Sequence, residues 1–201
     1  MHSRSAAPAL PSRLAALFPI LFLGLVTLLT ASFIAPKAHA ADATPATMHT
    51  LIIDTDPGAD DVIALLFAMA SPEQLKIQAL TTVAGNVPLS KTSRNARLAR
   101  EWAKRPDIAI YAGAPRPLLR TPIYAADIHG SEGITGVKVH EPSQPLAEGN
   151  AVDYLIHTLR AAPEKSVTLA MLGPETNLAL ALTQAPDITR GLRELVLMGG
   201  A

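Results

Sequence analysis

From Thr50 onward, short apolar runs suited to strands alternate with amphipathic or wholly apolar stretches of helical length. This is the pattern of a parallel sheet with crossover helices. It predicts strands at Thr50–Asp54, Lys76–Val83, Ile108–Tyr111, Val167–Met171 and Leu195–Met198. Helices are expected at Asp60–Ala70, Leu89–Lys104, Ala151–Ala161 and about Asn177–Ala185. In "RLAREWAK", Leu98 and Trp102 lie four apart on one helical face while Arg and Lys take the other. The expected fold class is α/β, an open, mostly parallel sheet with crossover helices. No internal repeat stands out. Between Ala112 and Asn150 the periodicity gives way to a Pro- and Gly-rich loop, long enough to be expected to be functional.

The residues before Thr50 have a different character. Arg4 and Arg13 precede the apolar run "LAALFPILFLGLVTLLTASFIA", and Ala38-His39-Ala40 supplies an A-x-A pattern suited to signal peptidase. Residues 1–40 are therefore expected to be a signal peptide cleaved near Ala40/Ala41, which implies a secreted or periplasmic protein. The alternative is an uncleaved membrane anchor, since the run approaches the length of a bilayer span. Residues 41–49 read as a flexible lead, and 50–201 as the folded domain.

Composition narrows the choice of partner. The 201 residues carry 17 Lys+Arg against 17 Asp+Glu, so no polycationic face is advertised for nucleic acid. A small-molecule partner is expected. The absence of cysteine excludes a disulfide framework and thiol chemistry.

Unusual residues follow each strand: "DTDPGADD" the first, "AGN" the second, "YAGAP" the third, "LGPETN" the fourth and "MGG" the fifth. In open α/β sheets ligands bind outside the carboxyl ends of strands, so these segments should converge on one rim. Asp60 or Asp61 alone could be explained as helix caps. Asp54 and Asp56 could not, because they end a strand and point to one side of it, and Pro57-Gly58 then turns the chain. All four acids are expected to be drawn together. Crowded carboxylates raise one another's pKa unless a cation relieves them, and an all-oxygen set suits calcium or magnesium better than zinc. Such a cation can lower the pKa of a water for hydrolysis, or take sugar hydroxyl or phosphate oxygens. Spacing alone does not choose between them.

The motifs "DTDPGADD", "VAGN", "IHGSEGITG", "LGPETNLALAL" and "LVLMGG" resemble, in order and spacing, the nucleoside hydrolases of the inosine-uridine-preferring type, from about Leu51 to Ala201. The resemblance implies a Rossmann-like core, calcium (Ca2+) as cofactor and hydrolysis of the N-glycosidic bond of a ribonucleoside, releasing ribose and free base. Carried over by motif, Asp56 is a calcium ligand and the general base, and Asp61 a bidentate calcium ligand. The main-chain carbonyl of Leu172 completes the visible calcium shell. Asp60 and Asn86 hold ribose hydroxyls, Asp54 supports from behind, and His129 lines the nucleobase end. Asn177 is expected to be an ordinary N-cap, His140 a loop residue and His157 a helix-face residue. Glu175 departs from the Leu common at its place in the family.

The partner implied is a nucleoside, with no nucleic acid and, after leader removal, no membrane; a homo-oligomer stays open. The resemblance further implies a domain that continues past Ala201, where another calcium-binding aspartate and a histidine near the leaving group are expected. The chain alone is then expected to be a poor catalyst. Two alternatives remain at this point. One is a secreted ribose- or nucleoside-binding protein without catalysis. The other is a phosphatase of the haloacid dehalogenase type, whose D-x-D motif lacks the Pro57-Gly58 seen here.

Overall fold

The computed structural model describes residues 48–199. The expected leader, its cleavage site and most of the lead lie outside the described residues. Elements follow in the order β1 (His49–Thr55), α1 (Ala59–Met69), β2 (Leu75–Thr82), α2 (Leu89–Trp102), β3 (Ala109–Ala112), α3 (Ala126–His129), α4 (Ala151–Ala161), β4 (Val167–Met171), α5 (Thr176–Gln184), a 3-10 turn (Pro186–Gly191) and β5 (Leu192–Leu197). The five strands form one sheet in the order β3-β2-β1-β4-β5. Every adjacent pair is parallel.

Alternation along β1 explains the two layers. Leu51 and Ile53 join Leu65, Leu80, Leu98 and Ile110 on one face, under α1 and α2. Ile52 points the other way, into a cluster with Leu155, Leu159, Leu169, Met171 and Ile188 under α4 and α5. A central strand covered on both faces reads as a continuous apolar run, as "LII" does.

The order 3-2-1-4-5 has a consequence for function. Connections from β1 run outward to β2 and β3, whereas β4 returns to the other side of β1. The switch point therefore lies between β1 and β4, and open α/β sheets bind ligands outside the carboxyl ends of the strands at such a point. The segments that follow them are "DPGADD" and "LGPETN".

Three expectations need correction. The last strand starts at Leu192 rather than Leu195, because Thr168↔Glu194 and Val167↔Leu192 pairing recruits charged residues into an edge strand. The long loop contains one helical turn, α3. A 3-10 turn, which carries no periodic signal, precedes β5. Among the described residues, no helix is long and apolar enough to cross a membrane.

Candidate active site

The acidic turn is shaped by its own side chains. Gly58 occupies the N-cap of α1, and Asp61 in the first turn accepts a hydrogen bond at Oδ2 from the Gly58 N–H (3.0 Å). Its Oδ1 accepts from Thr55 Oγ1 (3.0 Å), and Asn86 Nδ2 also donates to Oδ2 (3.2 Å). The capping account of Asp61 is thus correct as far as it goes, yet the residue is only 2% exposed and also faces Asp56 and Asn86.

Asn86 fastens the second rim segment to the first. Its backbone N–H donates to Asp56 Oδ2 (2.7 Å), and its Nδ2 donates to the Asp56 carbonyl (3.0 Å) as well as to Asp61. With both Nδ2 hydrogens committed within the turn, Asn86 can offer its Oδ1 to a hydroxyl group. The third segment arrives from β4. Leu172 N–H donates to the Asp54 carbonyl (2.8 Å), and a Cβ at Gly173 would lie 2.5 Å from Asp56 Oδ1. Only glycine allows this backbone, which directly follows Leu172, to rest against that carboxylate.

The four acids are not drawn into one cluster, contrary to expectation. Asp56 and Asp61 form the inner pair. Asp54 lies behind them, fully buried, with Oδ2 accepting from Thr81 Oγ1 (2.5 Å) and Asn177 Nδ2 (2.8 Å). Asp60 sits outside, its side chain 64% exposed. The physical reason is that Asp54 is still within β1 whereas Asp60 opens α1, so the turn between them separates the two by its full width.

Burial decides the protonation of these groups. Desolvation pushes Asp54 up to about 7, opposed by the bonds from Thr81 and Asn177. Asp56 is likewise pushed up to about 7, first by burial and then by the neighbouring Asp61 charge. Burial raises Asp61 too, against the opposing hydrogen bonds from Gly58 and Thr55. Among the described residues no Lys or Arg forms an ion pair with any of the three. Asp54 Oδ1 is buried with no hydrogen-bond partner among the described residues.

Does this donor set fit calcium? Among the described residues, no three His, Cys, Asp or Glu side chains converge as a ready-made metal cage. What converges is two buried carboxylates and a stretch of main chain, all hard oxygen, with no Lys or Arg paired to them among the described residues. That suits a calcium ion that takes further oxygens from substrate and solvent. Asp56, Asp61 and the Leu172 carbonyl are the residues that would hold it.

His129 is brought to the same rim. Its Nδ1 faces the N-terminus of α1, 3.4 Å from the Ala59 N–H and 3.9 Å from Asp60 Oδ1. A Cβ on Gly58 would meet its ring at 3.0 Å. With Nδ1 turned to a backbone donor, Nε2 is the nitrogen left to carry a proton. His140 instead pairs with Glu101 (2.7 Å) and His157 is exposed on α4, as expected of a loop and a helix-face residue.

Asn177 is a correction. Helix α5 starts at Thr176 with Glu175 at the N-cap, so Asn177 lies inside the first turn and points inward. Its Nδ2 donates to Asp54 Oδ2 and to the Thr82 carbonyl (3.1 Å), while its Oδ1 accepts from Ala114 N–H (2.8 Å). One amide thereby joins the ends of β1, β2 and β3 to α5. Thr55, inside the "DTDPGADD" motif, and Thr81, which no motif marks, also belong to the site. Their one signal in the sequence is that polar residues close apolar strands at the rim. Glu175 is exposed, so its departure from Leu leaves the interior packing unaffected, although its charge adds a smaller upward push to Asp54.

A 3-2-1-4-5 parallel sheet with buried carboxylates at its switch point defines a doubly wound α/β protein with an acidic ligand crevice. The chain belongs to the inosine-uridine preferring nucleoside hydrolase family, whose profile matches residues 51–201. It is 49% identical over 151 residues to an uncharacterized protein of Schizosaccharomyces pombe, covering 75% of this chain and 48% of that one. It is 44% identical, with the same coverages, to the pyrimidine-specific ribonucleoside hydrolase RihA of Salmonella enteritidis. Among solved structures, a plant nucleoside hydrolase, PpNRh1, superposes with a TM-score of 0.71 at 35% identity, over 76% of this chain and 48% of that one. A purine-preferring ribonucleoside hydrolase from Gardnerella vaginalis gives 0.70 at 32%, over 76% and 49%. The chain spans about half the length of the curated relatives it matches. The family match sets aside the haloacid dehalogenase alternative.

Proposed function

We propose that the protein takes part in calcium-dependent hydrolysis of the N-glycosidic bond of ribonucleosides, releasing ribose and a free nucleobase. One observation carries this reading: Asp56 and Asp61 are buried side by side at the switch point, tied by a single asparagine, with no Lys or Arg paired to either among the described residues. Family membership supports it.

Held by Asp56, Asp61 and the Leu172 carbonyl, a calcium ion would favour the anionic form of these carboxylates, lower the pKa of a water and orient hydroxyl oxygens. Asp56 takes a proton from the attacking water as the water oxygen bonds to the anomeric carbon. The carbon–nitrogen bond breaks and its electron pair leaves with the base, which gains a proton from solvent while His129 Nε2–H donates a hydrogen bond to it. Asp60 and the Asn86 Oδ1 hold ribose hydroxyls. The buried carboxylates also stabilise the oxocarbenium-like charge that develops on the sugar.

The test is a turnover assay on purine and pyrimidine nucleosides, with calcium and with a chelator. Release of base in calcium alone is the expected result. Calcium-dependent nucleoside binding without released base would make this a binding protein. Export is proposed on the sequence alone, and an N-terminus at or near Ala41 in the secreted protein would support it.

A further inference from the structure

We propose that Asn95 is a positioning residue, which fixes the His129 loop against the acidic turn and so sets where a nucleoside is gripped. The inference rests on the functional reading above for what is gripped, but its geometry is independent of it.

Asn95 is fully buried on α2, in a stretch where Ala96, Leu98 and Ala99 all enter the core. An apolar residue is the ordinary occupant of such a position. Instead its Nδ2 donates to two main-chain carbonyls, that of Pro57 (3.1 Å) and that of Glu132 (2.9 Å). Pro57 directly follows Asp56, and Glu132 lies three residues after His129. A single amide therefore joins the segment that carries the carboxylates to the segment that carries the histidine. Gly133 shows how close the approach is, since its φ is +78° and a Cβ there would meet Asn95 Nδ2 at 2.8 Å. The glycine in "SEG" is required on both counts.

The loop has a second tether. Ala125 N–H donates to the Asn86 carbonyl (2.9 Å), so residues 125–132 are held at one end by the "AGN" segment and at the other by the acidic turn. Lys91 and Arg94 also pair with the Glu132 carboxylate, at 2.8 and 2.7 Å. That carboxylate is 42% exposed, and ion pairs so hydrated contribute little. Arg94 Nη2 also donates to the Glu132 carbonyl (3.2 Å), whereas the Pro57 carbonyl loses its side-chain donor with Asn95, and Asn95 alone bonds both segments. Asn95, not the ion pairs, is the decisive tether.

Two variants test this: Asn95→Ala, and Asn95→Asp, which keeps the volume but has no Nδ2 donors. Amide hydrogen exchange across residues 125–134 should rise about tenfold or more in both, as expected for the loss of two hydrogen bonds, with exchange in β1 unchanged. Calcium affinity by calorimetry should stay within about twofold, while KM for inosine and uridine rises about tenfold and kcat changes less. Glu132→Gln, which keeps the gripped carbonyl, should stay within about twofold of the parent in every readout. Unchanged loop exchange in Asn95→Asp would overturn the proposal. So would faster loop exchange with unchanged KM, or a parallel loss of calcium affinity and β1 protection, which would mark Asn95 as merely structural. A parent protein that turns over no nucleoside refutes the functional reading instead, and loop exchange alone then decides whether Asn95 is the tether.

Discussion

Asn177 reaches from α5 to Asp54, and its Nδ2 lies 2.8 Å from a carboxylate oxygen that precedes it by 123 residues. The same side chain caps the Thr82 carbonyl and receives the Ala114 N–H, so it ties together three strand ends on the active rim. Gly113 has no side chain because a Cβ there would run into this amide.

Asn177→Ala is expected to lower stability by roughly 2–3 kcal/mol, since it removes three buried hydrogen bonds and strands the Ala114 N–H. Urea unfolding measures the loss. A cost below about 0.5 kcal/mol, the range of an ordinary surface change, would show that water replaces the amide.

The pH dependence of stability follows from Asp54 and Asp56. Their folded-state pKa values, about 7, lie above the usual 3.8. Between these values the native state binds more protons than the unfolded chain, so stability is full below about pH 4 and is lost as pH rises toward and through 7. Thermal unfolding of the calcium-free protein should therefore show a falling Tm over this window. Added calcium, which favours the ionised carboxylates, should flatten or reverse the trend. A calcium-free Tm that rises from pH 4 to 7 would contradict the burial argument.

Gly173→Ala and Gly85→Ala each drive a Cβ into the Asp56 carboxylate, one toward Oδ1 at 2.5 Å and the other into Oδ2. Both sites are backbone packed on a buried group, so the carboxylate has to move. Each variant should weaken calcium binding by about tenfold or more while the fold survives, a loss of about 1.4 kcal/mol. Calorimetry with a circular dichroism check separates this from unfolding.

Much of the fold is legible in the sequence because apolar period and length agree. Helix α4 and strand β4 fall at their expected bounds, being apolar stretches closed by Asn150 and Pro163 or by charged and glycine-containing turns. Strand β5 is legible only in part, since Arg193 and Glu194 look like loop until pairing with β4 recruits them. The acidic turn is readable because its carboxylates lie within a single segment. Thr81, Asn95 and Asn177 are not, because each is a lone polar residue whose meaning lies in a partner far along the chain. Nor does the sequence show that Asp54 stands behind the inner pair and Asp60 outside it, which depends on where β1 ends and α1 begins.

The proposed chemistry stands or falls with a calcium ion held by Asp56 and Asp61 at the switch point of the sheet. The decisive measurement is calcium titration by calorimetry of the parent protein, Asp56→Asn and Asp61→Asn at neutral pH. A single class of calcium site is expected in the parent, with an affinity about tenfold or more weaker in each variant, because each substitution removes one anionic ligand of a hard cation. Equal affinity in all three proteins would refute calcium binding by this pair.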